Sequence, residues 1–227
     1  MALNDTPGAT PEPSAHVLAH ELAARITAER DATPFARILM LGIGSGRNLA
    51  PLLAAGLCID VVEDDPERAR AAATRFASEP RVRVARARYA GPYPFEGRHA
   101  AALSTHALLH GDARAVAAAL AAVRNRLGAG APLYATLGST RDPRFGAGRR
   151  IDDATFAPSN GAEAGVAHVY FDERGLRALL CDFEVESLAE VAAAEHVGRW
   201  AHDSGDAAHI VHWFVRATAR ATRRDAP

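Results

Sequence analysis

The sequence contains no lysine and no glutamine, so all 26 basic residues are arginine. A lysine Schiff base and the phosphate-loop lysine of a Walker A motif are therefore excluded, and pyridoxal-phosphate chemistry and P-loop NTPases with them. Cysteine is scarce as well: Cys58 and Cys181 each stand alone within an apolar segment. They cannot build a zinc knuckle, and they read as a reduced pair rather than a disulfide framework. Long hydrophobic runs are missing. The longest, such as Ala115 to Val123, fall far short of the ~18 residues that a membrane span needs. The opening MALNDTPGATPEPS carries Asp5, three prolines and no apolar core, unlike a signal peptide. An excess of either charge is lacking too, with 26 basic against 27 acidic residues. No overall field favours a polyanion or an anionic membrane surface. These absences together predict a soluble cytoplasmic protein with neither a membrane nor a nucleic acid as its partner.

What is present is alanine, 52 of the 227 residues. This raises helix propensity everywhere and leaves periodicity as the better guide. The length suits one domain. Residues 1–13 read as a disordered Pro-, Thr- and Ala-rich tail, and 14–227 as a single domain. Ser14 can cap a helix carrying Val17, Leu18, Leu22 and Ile26 at helical spacing. Strand and helix signals then alternate: strands over 36–41, 58–62, 82–86, 100–104 and 133–138, with helices over 48–55, 66–78 and 113–127 between them. Asp65 before Pro66 supplies both a cap and a first-turn proline. Strands separated by helices imply a parallel sheet covered on both faces, an α/β doubly wound, Rossmann-like fold. From Gly138 to Ala167 the period disappears among glycines, two prolines and Arg141, Arg144, Arg149 and Arg150. A loop of this length is expected to be functional, here a cover over an acceptor site. A helix over 172–180 and strands over 183–191 and 209–217 follow.

The informative segment is RILMLGIGSGRNLAPLLAAGLCIDVVEDDPERAR, residues 37–70. A strand leads into a turn with Gly42, Gly44 and Gly46, then a helix, a second strand, and Glu63 at its end. Glycines there let backbone approach a ligand closely and aim a helix N-terminus at it. An acid closing the next strand accepts hydrogen bonds from ribose hydroxyls. The dinucleotide fingerprint would need glycine where Arg47 stands, which argues against NAD or FAD.

ILMLGIGSG resembles the glycine motif, and DVVEDDPERA the second motif, of class I S-adenosylmethionine (SAM)-dependent methyltransferases. GSGRNLAPLLAAG is similar to the version found in small-molecule members of that family. PFEGRHAAALSTHALLH resembles the fourth-strand region, and HVYFDERGLRALLCDFEVESLAE the last helix and sixth strand. The resemblance implies a seven-stranded sheet of order 3-2-1-4-5-7-6 with the last strand antiparallel. It also implies SAM as cofactor and a small-molecule methyl acceptor with an oxygen, nitrogen or sulfur nucleophile. The alternative is a non-catalytic SAM-binding sensor or interaction module. The cofactor residues it implies are Gly42, Gly44, Gly46, Asn48, Glu63, Asp64, Tyr89 and Ser104. Met40 and Tyr89 stand where the family usually has acids, and a tyrosine at the latter place can stack on the base.

Among the histidines, His106 directly follows the fourth strand and is the candidate general base for a hydroxyl or thiol acceptor. His106 and His110 share a helical spacing, but a metal would want a third ligand that no local spacing supplies, so no metal is expected. Arg81, Arg83, Arg86 and Arg88 read as one polar strand face rather than an RNA surface. Glu195, His196, Arg199, Trp200 and His202, between the last two strands, read as an acceptor wall or as an edge anchor.

Overall fold

The structure is a computed structural model, described here over residues 21–29, 36–161, 163–192 and 210–221. The tail, His16, His20, His209 and the 195–202 stretch lie outside these residues. The chain order is α1 (Glu21–Glu29), β1 (Arg37–Leu41), α2 (Leu49–Ala54), β2 (Cys58–Glu63), α3 (Pro66–Arg75), β3 (Val82–Arg86), β4 (Ala101–Ser104) and α4 (Ala113–Arg126). It continues with β5 (Pro132–Ser139), β6 (Arg149–Arg150), β7 (Thr155–Ala157), β8 (His168–Phe171), α5 (Glu173–Leu179), β9 (Phe183–Ala192) and β10 (Val211–Ala219).

Strands β3, β2, β1, β4 and β5 are neighbours in that order and all parallel. β10 runs antiparallel to both β5 and β9. The core order is thus the expected seven-stranded one, with β10 in the place of the seventh strand and β9 in that of the sixth. Side chains alternate across it with a period of two, as a sheet buried on both faces requires. Leu39 and Leu41 of β1 join Val116, Leu120 and Val123 of α4 in one core. Ile38 and Met40 join Leu22 and Ile26 of α1 and Leu52 of α2 in the other. Helix starts are capped where aspartate precedes them: Asp65 accepts from the Glu67 and Arg68 amides, Asp112 from that of Ala115, and Asp172 from that of Gly175.

The structure corrects the sequence reading in one respect, since the sheet has ten strands rather than seven. The additional β6, β7 and β8 form an antiparallel meander, two of them inside the segment read as a loop. β6 and β7 have two and three residues, too few for any period to register. β8 attaches parallel to the C-terminal end of β5, Gly138 beside Tyr170 and Ser139 beside Phe171. β4 pairs only with Leu133 to Ala135, so β8 takes up the edge of β5 that β4 leaves open. The approach is close: a Cβ at Gly138 would lie 2.3 Å from the Val169 carbonyl oxygen. β8 also bonds the segment after β4, through Val169 N to Leu109 O and Gly111 N to Ala167 O.

A charged group lies in the middle of β2. Asp60 of β2 is fully buried and accepts from Arg37 at 2.7 Å, from Arg83 at 2.7 and 2.6 Å, and contacts His99 Nε2 at 2.9 Å. Burial works to raise its pKa, but the His99 and Arg83 hydrogen bonds and the Arg37 charge outweigh it and hold the carboxyl well below the usual range. Arg81 pairs with Glu79 at 2.9 Å, so two members of the basic run on β3 are engaged within the chain.

Candidate cofactor and acceptor site

Three chain segments meet at the C-terminal ends of the parallel strands, where open α/β sheets bind ligands. The first is the turn after β1. Gly42, Gly44 and Gly46 all have positive φ, 75°, 53° and 77°. A Cβ at Gly42 would stand 2.9 Å from the Ala107 Cβ and 3.3 Å from the Tyr89 hydroxyl, whereas around Gly44 there is open space to at least 4 Å. The turn is thus packed against the protein at one glycine and free at the next. Ile43 N–H, between them, donates to Glu63 Oε2 at 3.0 Å.

The second segment is the end of β2. Glu63 is 1 % exposed and also accepts from Asp65 N–H at 3.1 Å. Arg68 Nε and the Tyr89 hydroxyl lie 3.4 Å from its Oε1. The two amide bonds are of normal length and the other two are long. A carboxylate has about four acceptor sites, so the long contacts are the ones a ligand hydroxyl would replace. Asp64 is exposed; desolvation and the neighbouring Glu63 charge raise its pKa. Burial first, then the Glu63 and Asp64 charges, push the Tyr89 phenol far up, so it stays protonated as a donor.

The third segment follows β4. Ser104 is fully buried and its hydroxyl has no hydrogen-bond partner. Asn48, the residue before α2, does not cap that helix; its Nδ2 donates to Thr105 Oγ1 at 2.9 Å, tying the glycine turn to this segment. His106 has φ 64°, the only positive value at a non-glycine among the described residues. Its amide donates to Thr136 Oγ1 of β5 at 2.8 Å, and its ring centroid is 5.3 Å from that of His212 on β10. Strained backbone of this kind persists where surrounding structure over-determines it, and it clusters at functional sites.

All eight cofactor residues read from the sequence and His106 therefore fall at these strand ends. Two features escaped that reading. Arg47, inside the glycine turn, is half-buried and its Nη1 is buried without a partner; desolvation lowers its pKa. A lone cation beside such a turn was the available signal. The other is a cluster built by the meander. Arg144 forks onto Asp142 at 2.9 Å by two bonds and reaches His212 Nε2 at 3.3 Å, and its Nη1 lies 3.6 Å from Glu163. Arg141 pairs with Glu190 and Arg150 with Asp153, so the segment's arginines are largely engaged inside the chain.

Comparison with solved structures gives the same architecture. A SAM-dependent methyltransferase from Methanosarcina mazei superposes with a TM-score of 0.65 at 17% identity, covering 84% of this chain and 95% of that one. The CcbJ methyltransferase of Streptomyces caelestis gives 0.62 at 17%, covering 88% and 89%. The Burkholderia thailandensis 1,6-didemethyltoxoflavin-N1-methyltransferase, with 1,6-didemethyltoxoflavin and S-adenosylhomocysteine bound, gives 0.60 at 21%, covering 88% and 77%. No protein-family model matches the sequence, and no curated protein matches it. The chain has the class I SAM-dependent methyltransferase fold, and no described helix is long and apolar enough to cross a membrane.

Proposed function

We propose that the protein transfers a methyl group from SAM to an oxygen, nitrogen or sulfur atom of a small molecule. The observation that carries this reading is the glycine turn with open space at Gly44 beside a buried acid, Glu63, at adjacent strand ends of a class I fold. The residues suit such a molecule. Glu63 can exchange its long contacts to Arg68 and Tyr89 for two ribose hydroxyls while keeping its amide bonds. Asp64 and Tyr89 border the adenosine, and the orphaned Ser104 hydroxyl offers a hydrogen bond at the end of β4. The free Nη1 of Arg47 supplies a countercharge for the methionine carboxylate. Gly42, Gly46 and Asn48 hold the turn in place.

Bound SAM supplies a methyl group already activated by its sulfonium. The chain's part is then to align the acceptor in line and keep water out. His106, at the end of β4, takes the acceptor's proton when that acceptor is a hydroxyl or thiol. No nucleic acid or membrane is needed as a partner, and the reading places the protein in the cytoplasm.

Calorimetry should show binding of SAM and S-adenosylhomocysteine and none of NAD. Glu63→Gln is the informative variant, because alanine would strand both the Ile43 and the Asp65 amide, which bond different carboxylate oxygens, whereas glutamine keeps a carbonyl oxygen for one of them. It is expected to weaken S-adenosylhomocysteine binding by about 1 to 3 kcal/mol, the scale of hydrogen bonds to a charged acceptor. Equal heat with NAD, or unaltered affinity in the variant, would overturn the cofactor assignment. Binding without turnover across a panel of hydroxyl, amine and thiol acceptors would favour the sensor reading.

A further inference from the structure

The meander places three metal-ligating side chains together from distant parts of the sequence. His110, from the segment after β4, Glu163, before β8, and His168, the first residue of β8, bring one ligand atom each to within 4.8 Å of one another. His168 Nε2 lies 3.0 Å from Glu163 Oε2, and His110 Nε2 lies 3.5 Å from Oε1. Ligands about 2.0 to 2.1 Å from a tetrahedral zinc ion sit roughly 3.3 Å apart. The two histidine–carboxylate spacings, each to its own oxygen, fall on either side of that value, and all three ligand atoms lie within 4.8 Å of one another.

Three further observations point to a cation among these atoms. The backbone antiparallel bridge between His110 and His168, with rings 4.9 Å apart and nearly perpendicular, fixes both imidazoles to the sheet. His168 is 1 % exposed, and its Nδ1 lies 2.9 Å from the Val166 carbonyl oxygen, which can only accept. That bond places a proton on Nδ1 and leaves Nε2 as the ring nitrogen facing Glu163, the arrangement by which a second partner orients a metal-bound histidine. Finally, both Nε2 atoms are buried and neither makes a hydrogen bond of acceptable geometry despite their nearness to the carboxylate.

We propose that His110, Glu163 and His168 form a binding site for a divalent transition metal ion of the zinc class, with a coordination position left open for water or another small ligand. Two imidazoles and one carboxylate are a three-residue donor set of borderline-soft character. It suits zinc, cobalt(II) or iron(II) rather than calcium or magnesium, which prefer oxygen. The proposal stands on ligand geometry and is independent of the methyl-transfer reading.

The test uses the full chain, free of any affinity tag and stripped with chelator, titrated with zinc by calorimetry and with cobalt(II) by visible absorption. One equivalent of each ion should bind, cobalt with d–d bands of an intense low-coordinate type that shift when azide is added. His110→Ala, Glu163→Ala and His168→Ala should each weaken binding by about 100-fold or more, since losing a ligand costs at least as much as losing an outer-shell partner. His106→Ala, whose ring lies against His212 instead, should bind as the unaltered chain does. Absence of stoichiometric binding in the unaltered protein would overturn the site, even if the variants fail to fold. So would full affinity in folded His168→Ala. Cobalt bands indifferent to azide would overturn the open position.

Discussion

Asp60→Ala is expected to destabilise the fold by about 3 kcal/mol. Removing one partner of a buried ion pair costs about 3 to 5 kcal/mol because the opposite charges are left without compensation. Here Arg37 and Arg83 keep contact with solvent, at 29% and 44% side-chain exposure, which places the loss at the lower end. The same group sets an acid limb. Its folded pKa lies below the unfolded value of ~3.9, so the unfolded chain takes the proton first. Its stabilisation is complete above about pH 4 and is lost as the pH falls toward the folded pKa. Denaturant unfolding at a series of pH values checks both points. The unaltered chain should lose stability below pH ~4 more steeply than Asp60→Asn. Parallel pH profiles would show that the cluster contributes no linkage.

His106→Ala should lower kcat by about 100-fold or more with SAM affinity intact, given a hydroxyl or thiol acceptor. The left-handed backbone at this residue permits a sharper comparison. His106→Gly removes the ring and also relieves a φ of 64°, a conformation that costs L-residues roughly 1 to 2 kcal/mol. If the ring serves only as packing against His212, the glycine variant should be at least as stable as alanine and keep full turnover. If the ring is the base, both variants lose the same factor in kcat while glycine alone regains stability. Turnover under saturating cofactor, together with thermal unfolding, separates these outcomes. An unchanged kcat in both would remove His106 from the chemistry and leave alignment to account for the rate.

The parts of the site legible in the sequence are those built from neighbours along the chain. The turn of Gly42, Gly44 and Gly46 and the acid Glu63 sit in one strand-turn-helix-strand unit, and their spacing carries their geometry. Asp65 and Pro66 mark the start of α3 for the same reason. What could not be read depends on pairing between remote segments. Glu163 and His168 meet His110 only because β8 bonds both to β5 and to the segment after β4, and no periodicity in Gly138 to Ala167 announces that. Asp60 reads as an ordinary strand residue until the sheet sets it between Arg37 and Arg83. Tyr89, read as a surface for the base, also turns its hydroxyl toward Glu63, a contact the sequence did not announce, because the strand ends of β2 and β3 lie side by side.

The place of β10 in the sheet has a consequence for biosynthesis. β10 follows β9 in sequence yet lies between β9 and β5. When β9 emerges it has no strand to join, and the edge of β5 from Pro132 to Gly138 keeps its backbone groups open until β10 has been made. The nascent chain thus presents two unpaired strand edges, a template for pairing with other chains. Closure is one late event that seats Trp213 and Val215 in the core and binds the Trp213 indole to the Phe171 carbonyl at the end of β8. The meander bearing the histidine cluster is therefore fastened last, by β10.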